Sequence, residues 1–247
     1  MAISNLVSQT MTPDALTERL TEALGDRLVS VVLYGSAAVG ERLEKYSDFN
    51  VLVVCDRLSI EELNLIGPLT QEWAQCGNPP PLLFTRERLL ESSDVFPIEL
   101  LDIKEGHRML YGEDVVRELP ISQQNLRFQL EHELKGKLIQ LRESYLLTAT
   151  KEQEIADLMI HSLSPFQVLF RAALRFFEIN VPRRKRHAVR SLGKHVNYDV
   201  GIFDTIADLR DGIISSEELD IPDCFNRYLQ CIEQTADLIN NLDRSGN

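Results

Sequence analysis

Residues 31–54 read VVLYGSAAVGERLEKYSDFNVLVV, and this stretch decides the fold. It closes one apolar, β-branched run (Leu28 to Tyr34), passes through Gly35 and Ser36, and enters a second such run (Phe49 to Val54) behind an acidic residue, Asp48. Both runs have the length and composition of interior strands. Gly35 has no Cβ, so the backbone can turn sharply there and admit a phosphate close to its amides. Ser36 adds a hydroxyl donor, and the helical segment expected after it points its N-terminus at the same place. Eleven residues separate Ser36 from Asp48. Because a strand alternates its faces, Asp48 and Asn50 fall on one side while Phe49, Val51 and Val53 fall on the other. One face is then available to hold a cation and the other to pack.

The segments Leu33-Tyr34-Gly35-Ser36 and Ser47-Asp48-Phe49-Asn50-Val51-Leu52-Val53-Val54 resemble the nucleotidyltransferase superfamily typified by DNA polymerase beta, in its small bacterial adenylyltransferase-like branch. The motif of that family is hydrophobic-Gly-Ser, a spacer of about this length, then Asp-x-Asp running into a hydrophobic strand. The turn GHRMLYGED (106–114) is similar to a segment such proteins often carry before a helical domain. The resemblance implies transfer of a nucleoside monophosphate, AMP being the group expected, from a nucleoside triphosphate with Mg²⁺ onto a hydroxyl of a small molecule or protein. Gly35 and Ser36 would hold the phosphates and Asp48 the metal.

One position departs from the family. Its second carboxylate is Asn50 here, leaving the degenerate form Asp-x-Asn. An amide oxygen can still coordinate Mg²⁺, but without charge. Metals in such transfers neutralise developing charge, so the change weakens that contribution directly. Two readings follow: a nucleotidyltransferase with a weakened metal site, or a nucleotide-binding or protein-interaction module of the same fold. The family's third carboxylate has no counterpart in Pro81 to Thr85 (PLLFT). If a strand near Pro97 to Ile103 supplies it, Glu99 or Asp102 is the candidate. Three residues apart on a strand, these two face opposite ways. Glu99, as Ile98-Glu99-Leu100, matches the family's hydrophobic-acid-hydrophobic pattern and is taken as third metal ligand or as base for the acceptor hydroxyl.

Working outward, Thr12, Pro13, Leu16, Leu20, Leu24 and Gly25 supply a cap, a first-turn proline, a helical stripe and a stop. Ser59 and Glu62 form a capping box for a helix toward Gly77, with a kink expected at Pro68. A strand at Leu82 to Thr85 and a short helix at Arg86 to Glu91 follow. Glu113 to Ile121 reads as a linker. Beyond it Leu126, Leu130, Leu134, Leu138 and Leu141 recur at helical spacing, a second long helix is expected to break at Pro165, and shorter helices complete the chain. The fold expected is α/β (α+β): a nucleotidyltransferase-type mixed sheet covered by helices on one side over residues 1–115, then an all-α helical bundle over 120–247.

Across 247 residues the net charge is −12, concentrated in residues 1–120, which hold 10 Lys plus Arg against 20 Asp plus Glu. Such a surface repels polyphosphate backbones, which argues against nucleic-acid partners. No apolar run approaches the ~18 residues of a bilayer span. The first twenty residues show no basic stretch followed by an apolar one, so a cytoplasmic location without membrane partners is the expectation. Cys55, Cys76, Cys224 and Cys231 are too widely spaced for a zinc pair and read as free thiols. A basic run, Arg183 to His187 with Arg190 and Lys194, and an Arg127-x4-His132 spacing are the remaining features; the latter resembles helical ribonuclease domains, and both read first as solvated helix surface.

Overall fold

Thr12 opens the first helix, α1 (Pro13–Leu24), its hydroxyl accepting the Ala15 N–H at 3.2 Å, and Gly25 closes it at φ +55°. The residues described in this computed structural model are 11–35, 37–38, 48–182, 185–196 and 199–241. After α1 come β1 (Leu28–Tyr34), β2 (Asn50–Cys55), α2 (Ile60–Gln75), β3 (Leu82–Thr85), α3 (Arg86–Glu91), α4 (Pro97–Glu105) and β4 (His107–Gly112). The strands form one sheet in the order β3-β2-β1-β4, with β1 antiparallel to both neighbours and β2 parallel to β3.

The two faces of the sheet carry separate cores. On one, Val31, Leu33, Val51, Val53 and Cys55 pack with Leu16, Leu20 and Leu24 of α1 and Ile66, Leu69 and Trp73 of α2. On the other, Val32, Leu52 and Val54 pack with Leu89 of α3, Leu100 and Ile103 of α4, and Val115, Val116 and Leu119. Period-two alternation along β1 and β2 therefore sorts apolar side chains to both sides, and helices cover both faces rather than the single face expected.

Two stretches of this unit differ from the sequence reading. The strand expected over Pro97 to Ile103 is the helix α4. Pro97 sits at its first turn, and the acids Glu99, Asp102 and Glu105 recur every third residue opposite the buried Leu100 and Ile103, a helical period rather than a strand period. The fourth strand lies instead at His107 to Gly112. The segment expected as a linker, Glu113 to Ile121, packs on the sheet, with Val116 and Leu119 at most 1% exposed. The first compact unit accordingly ends at Ser122 and the second begins at Gln123.

Glu62 is a buried carboxylate at the start of α2. It accepts the Ser59 hydroxyl at 2.6 Å, the Ser59 N–H at 2.9 Å, Arg57 Nε at 2.9 Å and Arg27 at 3.1 Å. The Ser59 hydroxyl first, then its backbone N–H and Arg57, hold the Glu62 carboxyl down to about 2 from 4.5. A depressed folded pKa contributes stability above the unfolded pKa and loses it as pH falls through the folded value. Unfolding free energy is therefore expected to drop between about pH 4.5 and 2, and Glu62→Gln should flatten that part of the curve, as followed by Trp73 fluorescence. An unaltered acid limb in the variant would remove Glu62 from the acid response.

The second unit is helical: α5 (Gln123–Thr148), α6 (Glu152–Phe176), α7 (Lys185–Gly193), α8 (Ile202–Arg210) and α9 (Ile221–Asn241). The expected leucines of α5 are all buried. Helix α6 runs unbroken through Pro165, as α2 does through Pro68. A helical proline costs about 3 kcal/mol. Burial of Met159, Leu163, Phe166, Leu169 and Phe170 around Pro165 exceeds that, at about 1.5–3 kcal/mol per large side chain. Tyr228 of α9 is fully buried against Phe166 and Phe203, its hydroxyl 3.0 Å from Ser162 Oγ, and burial pushes its pKa up. All four cysteines are free thiols, and burial pushes Cys55 up to about 11 and Cys231 up to about 12. No helix among the described residues is long and apolar enough to cross a membrane.

Candidate functional site

Gly35 ends β1 at φ +78°, a left-handed conformation that favours glycine. The turn is tied at three points. Its N–H donates to Gly106 O at 3.3 Å, its carbonyl accepts the Ala38 N–H at 3.0 Å, and the preceding residue, Tyr34, pairs with Asn50. A Cβ on Gly35 would lie 3.4 Å from Asn50 Nδ2, so the amide of Asn50 stands directly beside the turn. Gly35 and Asn50, fifteen residues apart in sequence, are thus neighbours because β1 and β2 are antiparallel. Ser36 and residues 39–47, within the helical segment expected between Ser36 and Asp48, lie outside the described residues.

The entry to β2 is fixed from the other side of the sheet. Phe49 N–H donates to Asn78 Oδ1 at 3.0 Å, Asn78 Nδ2 donates to Trp73 O at 3.4 Å, and the Phe49 and Trp73 rings stand 6.0 Å apart. Trp73 is in turn held by its Nε1–H to Pro79 O at 2.8 Å. Phe49, Val51 and Val53 pack on the α1–α2 face, as the alternation predicts, which puts Asn50 on the α4 face. Asp48, two residues before β2, is exposed. Asn78 is a site-shaping residue that sequence reasoning missed, since nothing local in GNPPP points 29 residues back.

Glu99 is not on the sheet. It lies exposed on α4, and the strand geometry that singled it out does not exist; on a helix, Glu99 and Asp102 at i,i+3 share a face instead of opposing one another. None of the four strands carries an Asp or Glu, and β3, parallel to β2, presents Leu82 to Thr85. Among the described residues no three His, Cys, Asp or Glu side chains gather as metal ligands. Among the described residues, the groups at the head of β2 that could ligate a metal are the Asp48 carboxylate and the Asn50 amide. That pair suits a Mg²⁺ of the kind that keeps several waters and is completed by substrate phosphates.

Elsewhere, Arg186 pairs with Asp204 at 2.5 Å and Asp208 at 3.0 Å, and Arg190 with Asp204 at 2.6 Å, so part of the basic run serves the α7–α8 packing. His187, Arg190, Ser191 and Lys194 line a shallow concavity of about 280 Å³. Arg183 and Arg184 lie outside the described residues. Arg127 is mostly buried and pairs with Glu131 at 3.4 Å, whereas His132 is exposed, so the Arg-x4-His spacing brings no two groups to one face.

No family model matches this chain, and no curated protein matches it. Among solved structures it is similar to a spectinomycin adenyltransferase, AAD(9), from Enterococcus faecialis, crystallised with ATP and spectinomycin: identity is 14%, the match covers 92% of this chain and 99% of that one, and the TM-score is 0.53. At that identity the likeness concerns the fold. The fold of this chain, an α/β unit followed by a helical unit, is nucleotidyltransferase-like.

Proposed function

We propose that this chain is a nucleotidyltransferase that takes a nucleoside triphosphate, ATP in the first instance, at the Gly35 turn and transfers AMP to a hydroxyl of a small molecule or protein. The observation that carries the reading is the juxtaposition of the left-handed Gly35 turn with Asn50 and the Asp48 entry to β2, in a fold similar to that of an adenyltransferase solved with ATP. In this reading the turn's amides and Ser36 hold phosphate oxygens, and Asp48 and Asn50 are the residues that would hold Mg²⁺. The ion would supply neutralisation of charge on the reacting phosphate. Asn78 and Trp73 keep Phe49 in place, so that Asp48 and Asn50 stay on either side of a fixed residue. Glu99 stays outside this reading unless the acceptor base is found on α4.

Calorimetric titration with each nucleoside triphosphate, with and without Mg²⁺, tests the binding half, and transfer of label from α-labelled ATP to hydroxyl acceptors, spectinomycin first, tests the chemistry. Ser36→Ala should weaken binding by about 1–2 kcal/mol, the worth of one hydrogen bond to a charged group. Gly35→Asp should weaken it more, because aspartate tolerates the left-handed region but sets an anion against the phosphates. Unchanged affinity in both variants would sink the phosphate assignment. The signature of a binding module without transfer would be tight nucleotide binding with no labelled product.

A further inference from the structure

His107 opens β4 and stands in one row with the candidate site. It pairs with Tyr34, whose other partner is Asn50, so Asn50, Tyr34 and His107 project from the same face of three adjacent strands. The residue before it, Gly106, supplies the carbonyl that accepts the Gly35 N–H. The imidazole is 15% exposed and touches three polar groups. Its Nδ1 lies 3.1 Å from Ile103 O and 3.1 Å from Lys104 O in the last turn of α4, and its Nε2 lies 3.2 Å from Asp114 Oδ1. Asp114 Oδ1 also accepts the Arg117 N–H at 3.1 Å.

All three partners of the ring are acceptors. A neutral imidazole has one N–H and one lone pair, so it can satisfy the carbonyls of α4 or the Asp114 carboxylate but must turn its lone pair on the other. The ring thus stands as a bridge from the C-terminus of α4 through β4 to the segment after it, in contact with both ends. Of these, Lys104 O is a helix-end carbonyl that otherwise lacks an intrahelical donor. Among the described residues, the charged or titratable groups on the elements that meet the ring include Tyr34 on β1, Lys104 on α4, whose ammonium donates to Leu119 O at 2.9 Å, Arg108 next in β4, and Arg117, whose N–H shares Asp114.

We infer that His107 is a positioning residue of the candidate site, a doubly hydrogen-bonded imidazole that fixes the α4–β4 corner and through Gly106 sets the Gly35 turn. It touches no reacting group and acts by holding the amide of Gly35 where a phosphate oxygen would meet its neighbours. The consequence for nucleotide affinity rests on the function proposed above; the consequence for the Gly35 amide does not.

The test uses the full chain with ¹⁵N-labelled backbone. The Gly35 amide should be protected from hydrogen exchange. His107→Ala should speed Gly35 exchange and weaken ATP binding, each by about tenfold, the loss of one charge-assisted hydrogen bond. Asp114→Ala should move Gly35 exchange in the same direction by less, because the α4 carbonyls keep their donor, and His107→Gln should recover part of the loss by restoring a donor to α4. Unchanged Gly35 exchange in a folded His107→Ala chain overturns the inference. If that variant does not fold, Gly35 exchange in the Asp114→Ala and His107→Gln chains decides instead, native rates in both overturning the inference. Native protein that binds no nucleotide, yet shows the exchange response, defeats the function proposed and leaves the positioning role supported.

Discussion

Gly112→Ala is expected to cost the first unit about 3 kcal/mol, through two causes that act together. Gly112 ends β4 at φ +73°, where any side chain is strained. A Cβ built there would sit 2.0 Å from Val29 O and 3.0 Å from Val29 C, both backbone atoms of β1, with no flexible side chain to give way. Alanine must therefore pull the end of β4 off β1, loosening Glu113 N–H from Val29 O and the ladder that carries Gly35 on its far end. Gly77 is the control. It follows α2 at φ +85° with nothing within 4 Å of its Cβ, so Gly77→Ala feels conformational strain alone, about 1 kcal/mol. Urea unfolding followed by the chain's single tryptophan, Trp73, reads both variants in the same unit. Equal midpoints for the two would show that the close approach of β4 to β1 does not carry the difference.

Gly112 also shows where the sequence was legible. The elements whose signals are local, α1 with its cap and stop, β1, β3 and α3, lie where the residues place them. So does the Gly35 turn, because its chemistry is written in adjacent residues. The fourth strand was not legible: HRMLYG is half polar, pairs only along one edge, and carries a bulge where Val31 meets Tyr111 and Val32 meets Met109. Mistaking α4 for that strand had a consequence for the site, since it lent Glu99 a place on the sheet that Arg108 and His107 occupy. Asn78 and His107 escaped for a related reason. Their roles come from partners 29 residues away and from a helix end, and neither residue type in isolation says what it will face. Glu113 to Ile121 reads as a linker, yet its Val115, Val116 and Leu119 pack beneath β1 and β2.

Asn50→Asp is the substitution on which the two functional readings part. The Asn50 amide nitrogen stands beside Gly35, where it offers a donor to anything bound at the turn. Aspartate removes that donor and sets a carboxylate there, two residues from Asp48 on the same strand parity. Without a cation the change puts anion against phosphate, and nucleotide affinity should fall about tenfold, the worth of a lost hydrogen bond to a charged group. With Mg²⁺ present, the second carboxylate gives the ion another anionic ligand, and in a weakened nucleotidyltransferase both affinity and turnover should rise. Asp48→Asn should abolish that gain in the Asn50→Asp background, and the Mg²⁺ response of the native chain as well. The quantity to measure is the ratio of affinities with and without Mg²⁺, by calorimetry, beside the rate of label transfer. A ratio that rises while transfer stays absent identifies a binding module whose pocket still admits a metal. A ratio that does not move, together with a lower thermal midpoint from like-charge repulsion at the head of β2, ends the enzyme reading, because the two carboxylates would then meet with nothing between them.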